Sequence, residues 1–173
     1  MFQTFALMPW LTVQDNVELG LKARGVPRAE RTKLALDAID MIGLDGFESA
    51  YPKELSGGMR QRVGIARALV LRPDALFMDE PFSALDYQTR LAVSGDIWRI
   101  IRSEGKTALL VTHDISEAVS MSDRVVVLSR RPATVKAVFD MGELRRMDPL
   151  KRQENPAFAR YFDAIWKDLE LRE

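Results

Sequence analysis

The sequence predicts an α/β fold in which helices flank a mostly parallel sheet. Three short apolar runs have the length of buried strands, and they lie at residues 75–78, 107–112 and 124–129. Segments whose apolar residues recur at helical spacing separate these runs, at residues 88–103 and 115–121. Strands that alternate with helices are joined by crossover connections, and a sheet built in this way is largely parallel.

The N-terminal part of the chain carries three helical patterns. Thr12 can cap a first helix that continues to about residue 22, and a second helix is predicted from residue 28 to about residue 42. These two helices are expected to form a local hairpin. A third helix begins beyond Ser56-Gly57-Gly58 and ends before the Arg-Pro break at residues 72–73.

The composition is that of an ordinary globular domain. The chain has 173 residues, of which 47% are hydrophobic, and this is enough for one sizeable core. Lys and Arg together number 25, as do Asp and Glu, so the net charge does not favour nucleic acid as a partner. The absence of cysteine excludes disulfides and Cys-based zinc sites and fits a reducing cytosol. No apolar stretch approaches the roughly 20 residues of a bilayer-spanning helix, and the first residues lack the regions of a secretory signal.

The segment Leu55-Ser56-Gly57-Gly58-Met59-Arg60-Gln61-Arg62 has the features of an anion site. Two glycines allow backbone N–H groups to approach a ligand, and the helix that follows directs its positive end toward them. The alternative is a helix N-cap followed by flexible glycines, without any ligand.

This segment resembles the signature loop of ABC ATPases, and three further motifs follow it in the order of that family. The stretch Leu76-Phe77-Met78-Asp79-Glu80-Pro81 resembles a Walker B strand with its catalytic glutamate. Ser83-Ala84-Leu85-Asp86 resembles the D-loop, and His113, which follows an apolar run, resembles the switch histidine. The resemblance implies a P-loop NTPase-like fold with an α-helical signature subdomain, and it implies ATP and Mg²⁺ as cofactors.

The resemblance assigns roles at the ATP site to four residues of this chain. Asp79 would hold the hydrated magnesium ion, and Glu80 would act as general base toward the attacking water, because strand alternation aims the two side chains differently. His113 would contact the terminal phosphate of ATP. Phe2-Gln3 and the run at residues 9–13 resemble the Q-loop, so Gln3 would sense the magnesium ion and the attacking water.

Other motif residues would serve the second subunit of a nucleotide-sandwich dimer. In the family, the signature loop binds the terminal phosphate of ATP held by the opposite subunit, which places Ser56, Gly57, Gly58 and Gln61 at that nucleotide. Asp86, in the D-loop, would cross to the other monomer.

The sequence contains no Gly-x-x-x-x-Gly-Lys-Ser/Thr loop, which a complete site of this class needs to surround the phosphates. Gly105-Lys106-Thr107 does not qualify, because Ile100 stands where the first glycine would be. We therefore expect an N-terminally truncated ATPase domain, without the phosphate loop and the preceding antiparallel sheet, that does not hydrolyse ATP alone. A truncated reading frame and a short protein that works with a complete partner are the two explanations.

The family motifs divide the chain into a helical subdomain with the signature loop at 4–72, a core from Walker B past the switch histidine at 73–140, and a C-terminal helical tail at 141–173. In the tail, a helix is predicted from residue 155 onward. Its apolar side chains share one side: Phe158, Tyr161, Phe162, Ile165 and Leu169.

Within the family, three segments resemble those of the ATPases of nitrate, sulfonate or taurine importers. They are residues 7–13, the turn at 129–132 and the segment around 148–150. The resemblance implies transmembrane permease subunits, a second ATPase subunit and indirectly a substrate-binding protein as partners, at the cytoplasmic face of the membrane. One alternative is a non-catalytic module that lends its signature loop to a complete ATPase in a mixed dimer. Another is an ABC-type ATPase acting on DNA, which would carry long coiled coils and basic surfaces.

Overall fold

The computed structural model describes residues 7–170, and these residues form seven α-helices and four β-strands. The helices are α1 (Val13–Ala23), α2 (Arg28–Met41), α3 (Gly57–Leu69), α4 (Tyr87–Ser103), α5 (Ile115–Met121), α6 (Pro149–Glu154) and α7 (Pro156–Glu170). The strands are β1 (Ala75–Asp79), β2 (Thr107–Val111), β3 (Arg124–Leu128) and β4 (Val135–Asp140). Short 3-10 helices lie at Pro52–Glu54 and Gly142–Leu144. Over these described residues, no helix combines the length and the apolar character needed to cross a bilayer.

The described residues divide into two compact units. One unit contains residues 7–77 and 81–109, and the other contains residues 78–80 and 110–170. The three functional segments drawn from the family motifs follow different boundaries and stay a prediction.

The predicted helices are present, and local caps explain where they begin. The Thr12 side chain accepts a hydrogen bond from the backbone N–H of Asp15, so α1 begins at Val13. Ser56 caps α3 in the same way, by accepting from Met59 N–H. The third helix therefore begins at Gly57 and includes both glycines, slightly earlier than the sequence pattern indicated.

Each strand pairs with one neighbour. β1 and β2 form a two-stranded sheet, and β3 and β4 form an antiparallel pair. β4 was not expected from the sequence. Val127 belongs to an apolar cluster within the second unit, and its cross-strand partner Ala137 packs against that cluster together with the partners Val125 and Phe139. That cluster contains the buried residues Ile115, Val119, Val127, Met141, Leu144, Ala157 and Ile165.

α1 and α2 are joined by a buried carboxylate. Glu18 on α1 accepts hydrogen bonds from Arg31 Nε at 2.7 Å and from Thr32 Oγ1 at 3.0 Å, and both donors lie on α2. Burial opposes ionisation of Glu18, but these bonds and one from Gln14 hold its pKa below the ordinary value. The helical hairpin thus has a polar connection that fixes the two helices to each other.

The loop before α1 is held by a fully buried asparagine. Asn16 is 0% exposed, and its Oδ1 accepts from Met8 N–H at 2.8 Å. Its Nδ2 donates to the carbonyl oxygens of Met8, Leu11 and Thr12. This amide satisfies buried backbone groups that a loop cannot pair by itself. Trp10, within the same loop, is 70% exposed.

Replacement of Asn16 by alanine is expected to lower the free energy of unfolding by about 1–3 kcal/mol, because buried backbone groups would lose their partner. Urea denaturation followed by circular dichroism measures this change. Gln14→Ala on the same helix is the control and should cost less than about 1 kcal/mol, since Glu18 keeps its bonds from Arg31 and Thr32. Equal costs for the two variants would contradict the assigned role of Asn16.

Candidate functional site

Two acidic residues lie where β1 ends. Asp79 is the last residue of the strand and is exposed. Glu80 follows it with a φ of 47°, in the left-handed region that residues with a Cβ rarely occupy. The backbone N–H of Glu80 donates to the carbonyl oxygen of Val111, the last residue of β2, at 2.8 Å. Backbone strain held by such a bond is common at functional sites.

The structure brings Glu80 and His113 into direct contact. His113 Nδ1 and Glu80 Oε1 lie 2.6 Å apart, and both residues belong to the second unit. His113 lies two residues beyond the end of β2, and Asp114, next to it, caps α5 by accepting from Glu117 N–H at 3.1 Å. The His113 side chain is 80% exposed, so it is accessible to a ligand.

The contact raises the pKa of His113. The hydrogen bond from His113 to Glu80 is the largest cause, and the negative charge of Glu80 is the next. The charges of Asp114 and Glu117 act in the same direction, while the slight burial opposes them. Because the folded-state pKa exceeds the unfolded value of about 6.5, the pair stabilises the fold below that pH, and the contribution is lost as the pH rises through the folded pKa. The contribution is small because His113 is exposed.

The donor set at Asp79 suits a magnesium ion held mainly by a nucleotide. Among residues 7–170, no cluster of three or more His, Asp or Glu side chains could enclose a metal ion. Mg²⁺ in phosphoryl-transfer sites is held by one or two carboxylates, substrate phosphates and waters rather than by a complete protein cage. A single exposed carboxylate at a strand end fits that requirement.

The signature-loop residues lie at the start of α3, in the first unit. Ser56 is exposed, and the thirteen-residue helix behind it directs its N-terminal end toward Ser56. Arg60 holds the preceding loop, because its Nη1 donates to the carbonyl oxygen of Leu55 at 2.8 Å and to that of Pro52 at 3.3 Å. Arg60 lies within the signature motif, but the motif by itself indicated no role for this side chain.

Gly58 also has a packing role. A Cβ atom at this position would lie 2.9 Å from Val93 Cγ2 and 3.0 Å from Thr89 Cγ2, both on α4. At Gly57, a Cβ would lie 3.0 Å from Leu85 Cδ2. The two glycines therefore permit close approach of α3 to its neighbours, which is a structural requirement in addition to any ligand.

The remaining predicted site residues have different settings. Asp86 is exposed and caps α4, and hydrogen bonds from the Thr89 side chain and backbone lower its pKa. Gln61 is buried on α3, with 8% of its surface exposed. Gln3 lies outside the described residues. The roles of all the predicted site residues stay predictions.

Comparison with known proteins agrees with these motifs. The family described as "ABC transporter" matches residues 1–83. The uncharacterized ABC transporter ATP-binding protein YtlC of Bacillus subtilis is 44% identical over 174 residues, which cover 100% of this chain and 67% of YtlC. The nitrate import ATP-binding protein NrtD of Synechocystis is 43% identical over 180 residues, which cover 99% of this chain and 66% of NrtD.

A solved structure shows the same fold. The ATP-binding cassette MJ0796, solved as a dimer in a post-hydrolysis state bound to ADP and Pi, aligns with a TM-score of 0.64 at 36% identity. The alignment covers 81% of this chain and 61% of that one. The chain belongs to the family of ABC transporter ATP-binding proteins, with the corresponding P-loop NTPase-like fold. It spans about two thirds of the length of these relatives.

Glu80→Gln is expected to lower the pKa of His113 toward its ordinary value, because the carboxylate charge is removed. His113 is the only histidine in the chain, so its ring signal in NMR titrations needs no assignment. The control is Glu143→Gln, which removes another exposed carboxylate of the same unit, paired with Arg160. An unchanged titration midpoint in Glu80→Gln would show that the contact is absent in solution.

Gly58→Ala is expected to cost about 1–3 kcal/mol of unfolding free energy, because the added methyl meets α4. Val93→Ala removes one of the atoms it meets, so the double variant should lose less than the sum of the two single variants. Gly95→Ala is the control, since the only atom near a Cβ there is the end of the long Arg99 side chain, at 3.4 Å. Strict additivity of Gly58→Ala and Val93→Ala would refute the packing role.

Proposed function

We propose that this chain is the ATP-binding and ATP-hydrolysing subunit that energises an ABC importer. The observation that carries the proposal is the 2.6 Å contact between Glu80 and His113 beside the ends of β1 and β2. In such a pair, the carboxylate can position the attacking water and the histidine can bind the phosphate. Phosphoryl transfer depends mainly on positioning of this kind.

In this proposal Glu80 is the general base. With its pKa raised, His113 carries a proton on both ring nitrogens over a wider pH range, and its Nδ1–H donates to Glu80 Oε1. The bond holds the carboxylate in one orientation, and its second oxygen can accept a proton from the attacking water. The Nε2–H of His113 is then a donor for the terminal phosphate, where negative charge builds up.

Asp79 would hold Mg²⁺ at the exposed end of β1. Mg²⁺ held there would neutralise charge on the nucleotide phosphates. Gln3 would sense the ion and the attacking water, as the resemblance implies.

The first unit would serve a nucleotide held by a second ATPase subunit. Ser56 lies exposed at the N-terminal end of α3, where a hydroxyl and backbone N–H groups favour a phosphate. We propose that Ser56, Gly57, Gly58 and Gln61 form this surface and that Asp86 contacts the second subunit. The MJ0796 cassette, which is dimeric and bound to ADP and Pi, supports both the dimer and the nucleotide.

The relatives support a proposal for the cargo and the membrane partners. The likeness to the nitrate import protein NrtD supports nitrate as cargo, and the motif resemblance adds sulfonate and taurine as related small anions. The proposed partners are transmembrane permease subunits, to which the chain binds at the cytoplasmic face, and a substrate-binding protein that acts indirectly. Trp10, exposed on the loop that Asn16 holds, is a candidate contact with the permease.

A second candidate function is that of a non-catalytic partner in a mixed dimer. Exposure of Ser56 at the start of α3 favours it, because this surface needs no phosphate loop in its own chain. We further propose that the 173-residue chain alone does not hydrolyse ATP, since its sequence has no Gly-x-x-x-x-Gly-Lys-Ser/Thr segment.

The catalytic assignment can be tested in a chimera that places the strand, phosphate loop and helix of a complete ABC ATPase before Met1. The chimera is expected to hydrolyse ATP, and Glu80→Gln should lower its kcat by a factor on the order of 10²–10⁴ with little change in KM, because a general base acts in the transition state. Phosphate release measures the rate.

The matched control in the chimera is Glu143→Gln, which should leave kcat unchanged. Binding of a fluorescent ATP analogue shows that each variant is folded and loaded. A Glu80→Gln chimera that binds the analogue and turns over at the parental rate would exclude Glu80 as the base.

A further inference from the structure

Arg152 on α6 is completely buried and fully engaged. Its exposed fraction is 0%. Nη1 donates to the carbonyl oxygens of Val119 at 3.2 Å and Ser122 at 2.6 Å, at the C-terminal end of α5. Nε and Nη2 donate to the carbonyl oxygens of Met147 at 3.0 Å and Arg145 at 3.1 Å, in the segment before α6. Four of the five N–H donors of the guanidinium thus go to backbone carbonyls, and Nη2 also lies 3.9 Å from Asp123 Oδ1 as an ion pair.

α5 depends on contacts at both of its ends. It has seven residues, and helices of that length are not stable by themselves. Asp114 caps its N-terminal end, directly after His113, while Arg152 occupies its C-terminal end with a positive charge that suits the helix dipole. Because His113 is followed at once by this helix, the position of α5 sets the position of the imidazole.

We propose that Arg152 is a positioning residue that holds His113 against Glu80 by clamping the C-terminal end of α5 to the segment before α6. The inference rests on the proposed roles of Glu80 and His113. Arg152 touches neither residue and acts only through α5, so its effect differs from that of a catalytic side chain.

Lysine cannot reproduce this clamp. Its ammonium carries the same charge, but its three donors radiate from one nitrogen and cannot span four carbonyl oxygens held by a planar fork. Arg152→Lys therefore keeps the charge and removes the geometry. Any change at His113 in this variant comes from the position of α5 and not from a lost through-space charge.

The groups that face His113 are known in the described part of the chain. Glu80, Asp114 and Glu117 contribute negative charge at His113. From α7, the side chains that line the same groove are Phe162, Trp166 and Leu169, which do not ionise near neutral pH. The titration of His113 thus reports mainly its distance from Glu80, the largest contributor.

The test is an NMR titration of His113 in the complete 173-residue chain, at a temperature well below unfolding for every variant. In Arg152→Lys, the pKa of His113 is expected to fall toward the value measured in Glu80→Gln. Leu144→Val, which trims another buried residue of the same core, is the control for lost stability and should leave the pKa unchanged.

Gln153→Ala provides a milder variant that is expected to retain the fold, because it removes one side-chain hydrogen bond. Its Nε2 donates to Ser120 Oγ at 3.2 Å, a second link from α6 to α5, so a smaller fall in the pKa of His113 is expected. A folded Arg152→Lys chain with an unchanged pKa would overturn the proposal. If Arg152→Lys does not fold, an unchanged pKa in Gln153→Ala would overturn it instead.

The outcome is separable from that of the proposed function. If the Glu80→Gln chimera keeps its ATPase rate, the proposed chemistry fails, while a lowered pKa of His113 in Arg152→Lys still shows the clamp. If the chimera loses activity and Arg152→Lys leaves the pKa unchanged, the chemistry stands and the clamp is rejected.

Discussion

The hydrogen bond from the Glu80 backbone N–H to the Val111 carbonyl oxygen is the contact on which the proposed catalytic side chains depend. It joins the residue after β1 to the last residue of β2 and holds Glu80 in the left-handed region at a φ of 47°. Only Thr112 lies between Val111 and His113, so the same bond helps to bring the imidazole within 2.6 Å of the Glu80 carboxylate. The side-chain geometry is thus set by the backbone, which changes conformation less readily than a rotamer, and the strain at Glu80 is part of that arrangement.

The sequence predicted those features that are encoded within a few residues. Thr12 and Ser56 cap their helices through bonds that span three residues, so a local pattern is sufficient to place α1 and α3 closely. β4 escaped prediction because its inward residues are only half-buried and its partner lies across a turn. The role of Arg152 was not predicted, because one of its acceptors, the Val119 carbonyl oxygen, is 33 residues away in the chain. For the site, Glu80 and His113 were named from motifs, but their contact came only from the structure.

The motif glycines show how one residue can meet two requirements. The signature motif predicts that a ligand approaches the backbone of Gly58, and in the structure α4 leaves no space for a Cβ at that position. Ligand approach and helix packing both require that Gly58 has no side chain. Packing within the first unit therefore constrains the start of α3 whether or not a phosphate is bound. Arg60 adds to this constraint through its bonds to the loop carbonyls. A surface restrained from two directions loses little entropy when a ligand arrives, which favours binding.

Asn16 gives the loop around Trp10 an unusual mechanical property for an irregular segment. Its amide binds backbone groups of Met8, Leu11 and Thr12 simultaneously, so the loop cannot bend without breaking several bonds inside the protein. α1 is in turn joined to α2 through Glu18 and Arg31. A displacement of Trp10 would therefore reach the helical hairpin through these bonds. One buried side-chain amide thus couples an exposed aromatic residue to the helical hairpin.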